Sequence, residues 1–232
     1  MTHDAQDFNT HASSSAPDDK NHDDKKYGVA VFGASSMMFD PGHEQDAIAV
    51  GKGLARNGDL LIYGGGSRGL MGVVSETAIR EGGEIRGYMM ECFTEAVQYP
   101  QKDYELMCKT IAERKQKMLL DADAYIALGG GFGTLDEILE AGVEQYLGGY
   151  VEPPVKMKPI ILVNRNGIYD PFMAQLDKFI EEGAAKAAVK DFFILVNNGE
   201  EAIDMLEQLK KQPGKPAVAV GNVQTPPPAK PN

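Results

Sequence analysis

Between residues 27 and 212 the chain alternates two kinds of segment. Short, almost unbroken apolar and β-prone runs occur at GVAVFG (28–33), LLIYG (60–64), EIRGYMM (84–90), AYIALG (124–129), PIILVN (159–164) and FFILVN (192–197). Stretches of roughly 10–15 residues with helical periodicity separate them, as in β-α-β units. His43–Arg56 stops at Asn57-Gly58 and Leu70–Glu81 at Gly82-Gly83, where glycine supplies the left-handed conformation that ends a helix. A further helix is expected over Thr110–Asp121, with Ile111, Met118, Leu119 and Ala122 as its inward stripe. The strands are apolar throughout instead of alternating, so both sheet faces should be covered. The pattern predicts an α/β fold: a single-domain, Rossmann-like, doubly wound, mostly parallel sheet with helices on both faces.

The flanks read differently. Residues 1–26 are rich in Asp, Ser, His and Lys and are expected to be a disordered acidic tail. Residues 213–232 hold six of the 13 prolines and no acid, the composition of a flexible tail. The domain between them, 27–212, carries the chemistry. The formal charge of the chain is −11. The first tail has six Asp and three Lys and the last has two Lys, so −10 remains on the domain. Such a surface repels nucleic-acid backbones and anionic membranes, and neither is expected as a partner. No apolar run approaches the roughly 20 residues of a membrane span, and the first residues lack a signal-peptide pattern. Two cysteines, Cys92 and Cys108, are too few for a disulfide framework, and a cytoplasmic protein is expected. His3, His11 and His22 lie in the first tail and only His43 in the domain. Neither a histidine triad nor a histidine metal site fits, and no metal or cofactor is called for.

In doubly wound sheets ligands bind beyond the carboxyl ends of the strands. Three loops there are rich in small residues: Gly33-Ala34-Ser35-Ser36, Gly64-Gly65-Gly66-Ser67-Arg68-Gly69 and Gly129-Gly130-Gly131-Phe132-Gly133-Thr134. The second matches G-x-G-x-x-G, but on the second strand of the fold instead of the first, which weakens a dinucleotide reading. No P-loop motif exists. The third loop opens a helix whose first turn should carry Asp136 and Glu137. Thr134 and Glu137 have the spacing of a capping box. Four glycines before a cap have another use, because a phosphate can rest on the amides of Gly130, Gly131, Gly133 and Thr134. Glu137 then fits a cap, a catalytic acid near that phosphate, or both. The helix over 110–121 brings cations: Lys115 falls on its apolar stripe and Arg114 borders it, an arrangement that suits a waiting anion.

These residues resemble a known family. Glu113-Arg114-Lys115 followed by ALGGGFGTLDEILE is similar to the paired R-K and P-G-G-x-G-T-x-x-E signatures of the lonely guy proteins, which are cytokinin riboside 5′-monophosphate phosphoribohydrolases once labelled lysine decarboxylases. The likeness extends through FGASS, YGGGSRGLMG, GGEIRGYMM and KPIILVNRNGIYDPF to the last helix. It implies hydrolysis of a purine riboside 5′-monophosphate at its N-glycosidic bond. Glu137 and Arg114 match the catalytic residues. Gly130, Gly131, Gly133 and Thr134 match the phosphate loop, and Ser35, Gly65, Gly66 and Lys115 complete the expected binding set. It also implies a homodimer with its sites near the interface. The chain departs from the pattern at Gly129 (proline in the signature), at Ala34 (glycine), at Asp136 (glutamate) and in the segment Gly148–Lys156. Two other readings stand beside this one. Molybdenum-cofactor carriers share the fold and hold a phosphorylated pterin without cleaving it, and a nicotinamide enzyme would use Gly64–Gly69. No lysine has the setting of a pyridoxal phosphate Schiff base.

Overall fold

Seven parallel strands form one sheet in the order β4-β3-β2-β1-β5-β6-β7. They are β1 (Gly28–Phe32), β2 (Leu60–Tyr63), β3 (Glu84–Met90), β4 (Glu105–Cys108), β5 (Ala124–Ala127), β6 (Ile160–Val163) and β7 (Phe193–Val196). The helices are α1 (Gly42–Asn57), α2 (Gly69–Arg80), α3 (Ile111–Asp121), α4 (Phe132–Gly148), α5 (Asp170–Glu181) and α6 (Gly199–Lys210). This is a computed structural model, and it describes residues 26–92, 105–148 and 157–211. Apart from Lys26, the expected tails lie outside the described residues, as do His3, His11, His22 and, after Gly148, the segment up to Lys156.

The six expected strands form, each within a residue or two of its expected ends. Every described strand pairing is parallel, where a mostly parallel sheet was expected. The sequence reading missed β4. Glu-Leu-Met-Cys is short and lacks the β-branched residues that mark a strand. It is recruited at the sheet edge by backbone pairing with β3, Gly87 facing Glu105 and Met90 facing Cys108. The expected helix stops hold: Gly58 takes φ 73° after α1 and Gly82 φ 77° after α2.

Successive residues of β1 feed opposite layers, as a pleated strand requires. Val29 and Val31 join a core with Val50 and Leu54 of α1, Leu70 and Val74 of α2, and Leu206 of α6. Ala30 and Phe32 join a second core with Met118 and Leu119 of α3, Ile138 of α4 and Leu176 of α5. Both layers are dry, which explains the continuous apolar strands. The chain runs outward from β1 through β2 and β3 to β4, then returns to place β5 on the other flank of β1. The strand order therefore reverses between β1 and β5, and a crevice opens beyond their carboxyl ends. Its two walls are joined by Ala34, whose N–H donates to the Gly129 carbonyl at 3.0 Å.

The segment after β6 braces this arrangement. Arg165 donates to the carboxylate of Asp46 from Nε at 2.5 Å and from Nη2 at 2.8 Å, and the Gly199 N–H donates to it at 2.9 Å. Asp46 is 1% exposed, so one carboxylate on α1 ties the β6–α5 connection to the start of α6. Removing it strands a partly buried guanidinium and a buried amide. Asp46→Ala should cost about 3 kcal/mol of stability, read as a lower urea midpoint with an unchanged slope.

Candidate functional site

The crevice is a cleft of about 640 Å³, within the usual size of a small-molecule site. Ser35 and Ser36 after β1, Gly66 and Arg68 after β2, Met89 and Met90 at the end of β3, Arg114 of α3, and Gly131 to Thr134 and Glu137 of α4 all line it. Of the expected residues it thus gathers Ser35, Gly66, Arg114, Gly131, Gly133, Thr134 and Glu137. Lys115, Gly65 and Gly130 lie off its wall.

Those three have other tasks. Lys115 reaches α4, with Nζ 2.8 Å from Asp136 and 2.6 Å from Glu140. Asp136, the departure from glutamate, is therefore the partner of that lysine, and the pair fixes α3 against α4. Gly65 has φ 76° and packs against Met89, a turn that only glycine makes without strain. Gly130 lies under Thr134, whose side chain fills the space where a Cβ would be.

The expected capping box at Thr134 and Glu137 does not form. Helix α4 already begins at Phe132, and the Leu135 N–H bonds to the Gly131 carbonyl at 3.0 Å. Thr134 thus sits inside the first turn, 4% exposed, and Glu137 lies beyond the reach of the helix start. The N–H groups of Gly131, Phe132, Gly133 and Thr134 precede the first intrahelical bond and face the cleft end of the helix. The capping pair is on α3 instead, where Thr110 accepts from the Glu113 N–H at 3.1 Å and Glu113 accepts from the Lys109 N–H at 2.8 Å.

Freed from capping, the Glu137 carboxylate faces Arg114, with Oε1 3.7 Å from Nη1. Both side chains are mostly shielded from solvent, at 14% and 17% exposure. Arg114 is aimed by Nε, which donates to the Tyr88 carbonyl at 2.8 Å. The guanidinium passes over Gly64, where any Cβ would overlap it. The first glycine of the G-x-G-x-x-G match is thus explained by an arginine's passage and not by a dinucleotide. Ile111, expected in the inward stripe of α3, is instead half exposed and lines the cleft. Burial pushes the Glu137 carboxyl up to about 7, against the opposing pull of Arg114. No group of three or more His, Cys, Asp or Glu able to hold a metal ion occurs among the described residues.

Met89, Met90 and Arg68 also line the cleft and were not singled out from the sequence. The methionines were read only as strand residues. Arg68 sat in view inside the second glycine loop, and a lone cation there was the available signal. Beneath the loop after β5, buried His43 packs against Gly129, at a distance that leaves no room for a Cβ, and its Nδ1 has no hydrogen-bond partner among the described residues. The Tyr169 hydroxyl donates to the Leu128 carbonyl and holds the end of β5 from the other side.

Comparison with known proteins identifies the family. A family model described as possible lysine decarboxylase matches residues 71–206. A probable cytokinin riboside 5′-monophosphate phosphoribohydrolase of Oryza sativa subsp. japonica is 34% identical over 78% of this chain and 76% of its own length. A cytokinin riboside 5′-monophosphate phosphoribohydrolase of Arabidopsis thaliana is 32% identical, covering 79% of this chain and 82% of its own. Among solved structures, the molybdenum cofactor binding protein of Rippkaea orientalis superposes with a TM-score of 0.62 at 23% identity, over 80% of this chain and 98% of that one. The likeness to the carrier is one of fold. The chain belongs to the cytokinin riboside 5′-monophosphate phosphoribohydrolase family, to which the possible lysine decarboxylase model also corresponds.

The raised Glu137 carboxyl has a consequence for stability. The folded state keeps that proton up to about pH 7, whereas the unfolded chain releases it near 4.5. The native state binds more protons across this window, so stability falls as pH rises through it. Glu137→Gln abolishes the titration. Between pH 5 and pH 8 the stability difference should move in favour of the variant by about 2–3 kcal/mol, measured by chemical denaturation at both pH values.

Proposed function

We propose, from family membership and from the buried pairing of Glu137 with Arg114, that this protein hydrolyses the N-glycosidic bond of a purine riboside 5′-monophosphate. The products are the free base and ribose 5-phosphate. The catalytic unit is the domain from 27 to 212. The 5′-phosphate rests on the free amides from Gly131 to Thr134, where a helix start favours negative charge. Binding energy from that remote anion orients the sugar. Ser35 lines the same cleft.

The C1′–N bond breaks with its electron pair going to the base, and positive charge develops on the sugar as in other glycoside cleavage. The Glu137 carboxylate stabilises that charge. Its basicity, raised toward 7 by burial, also suits it to take the proton of the water that attacks C1′. The proton that Glu137 takes from the water ends on the departing base, so that one water is consumed and the carboxylate is regenerated. Arg114 holds the carboxylate in place and limits its rise, and Lys115, through Asp136 and Glu140, fixes the two helices that carry the pair. The single observation behind this reading is that Glu137 is free of any capping duty and buried in the cleft wall beside one guanidinium. The carrier alternative has only the shared fold behind it.

The working unit is a homodimer. Leu139, Val143 and Leu147 lie along one stripe of α4, at 43%, 53% and 51% exposure, a pattern that suits another protein surface. Phe132, 91% exposed, begins the same helix at the cleft rim, so a partner on this face stands next to the site. No helix among the described residues is long and apolar enough to cross a membrane. With neither Cys92 nor Cys108 in a disulfide, we place the protein in the cytoplasm.

Two measurements check these points. Wild-type protein incubated with AMP or an isopentenylated adenosine monophosphate should release free base, with kcat/KM rising to a plateau above an apparent pKa of about 7. Glu137→Gln should lose about 100-fold or more of kcat while keeping a folded circular dichroism spectrum; wild-type turnover in that variant overturns the assignment. In sedimentation velocity the wild type should run as a dimer and Val143→Glu as a folded monomer.

A further inference from the structure

The cleft holds a cation that the mechanism above does not use. Arg114 is committed to Glu137 and to the Tyr88 carbonyl, and Lys115 to two carboxylates on α4. Arg68 lines the same cleft; its carbonyl accepts from the Gly72 N–H, but its exposed side chain has neither an ion pair nor a hydrogen bond among the described residues. Its charge stands at the cleft wall of a domain that carries −10 overall. Its place on the backbone is unfavourable on its own. It is the N-cap residue of α2, a helix with no acidic residue in its first turn, so its positive charge meets the positive end of the helix dipole. A bound anion relieves that conflict.

The loop of Arg68 is held against the loop of Ser35, which in turn is tied to the loop that opens α4. Gly69 takes φ 60°, and a Cβ there would overlap the backbone of Ser35 and Ser36. The Leu70 N–H donates to the Ala34 carbonyl at 3.0 Å, and the Ala34 N–H donates to the Gly129 carbonyl at 3.0 Å. Two hydrogen bonds therefore link the loop of Arg68, the loop of Ser35 and the loop that opens α4. A phosphate monoester presents three terminal oxygens. Amides at one helix start leave part of that acceptor capacity unused, and a guanidinium fork is the side chain best matched to the remainder.

We infer that Arg68 contacts the phosphate of the substrate and determines the specificity of the cleft for a nucleoside monophosphate over the unphosphorylated nucleoside. This rests on the proposed hydrolysis only for the identity of the nucleotide. The contact itself is a matter of binding and is tested without turnover.

The test compares full-length Glu137→Gln with Glu137→Gln/Arg68→Gln, each titrated calorimetrically with AMP and with adenosine. AMP should bind about tenfold or more weakly to the double variant, the loss of one charge-assisted hydrogen bond. Adenosine affinity should change much less, and Arg68→Lys in the same background should recover part of the AMP affinity. Equal weakening of AMP and adenosine would show a structural effect and overturn the inference. Unchanged AMP affinity would overturn it too, leaving Arg68 as a solvated surface side chain. Wild-type base release from AMP, combined with an Arg68→Gln protein of unaltered KM, sinks this inference alone. Absence of both AMP binding and base release in every form sinks the hydrolase reading together with it.

Discussion

A carboxylate withdrawn from water beside a single guanidinium is the constraint around which this molecule is arranged. Glu137 is expensive to bury as an anion, and one cation 3.7 Å away offsets only part of that cost. The pair exists because three unrelated elements meet there. Helix α4 brings the acid, α3 brings the arginine, and the end of β3 offers the Tyr88 carbonyl that aims it. Gly64 leaves the corridor through which the guanidinium passes, and the Lys115 bridges to Asp136 and Glu140 keep α3 and α4 in register. A side chain at residue 64 therefore disturbs the site as surely as one at 114.

The layered architecture was readable from the sequence because it rests on local signals: apolar runs, helical periodicity and glycine stops. Strand β4 was not, since Glu-Leu-Met-Cys has no strand signature and acquires its conformation from β3. The site was half readable. Small-residue loops after β1 and β5 announce a crevice, and a helix opening from the second of them was expected at Thr134. What failed was the phase of α4. Its beginning two residues earlier than Thr134 moves Glu137 off the helix end and turns an ambiguous cap into a cleft carboxylate. Lys115 was rightly read as inward-facing, but its partners lie 21 and 25 residues further along the chain, a relation that only the packing of α3 on α4 reveals.

The segment Asn164–Asp170 carries no obvious chemistry, yet it occupies a central structural position. Asn166, at φ 54°, donates to Asp40 at 2.7 Å, Arg165 grips Asp46, and Tyr169 bonds the end of β5. The contacts end just before α1, on α1 and just after β5, behind the loops that line the crevice. The rigidity of the glycine loops is thus borrowed from polar residues behind them, which is how backbone amides stay aimed in a loop with so few side chains of its own.

The crowding of His43 against Gly129 has a bearing on descent. A side chain at 129 overlaps the imidazole as it now stands, so a proline can enter there only after residue 43 has become smaller or has turned away. The two sites, 86 positions apart, are bound into one epistatic pair: each tolerates its own change only in a certain order. A proline at 129 and the imidazole in its present place therefore exclude one another.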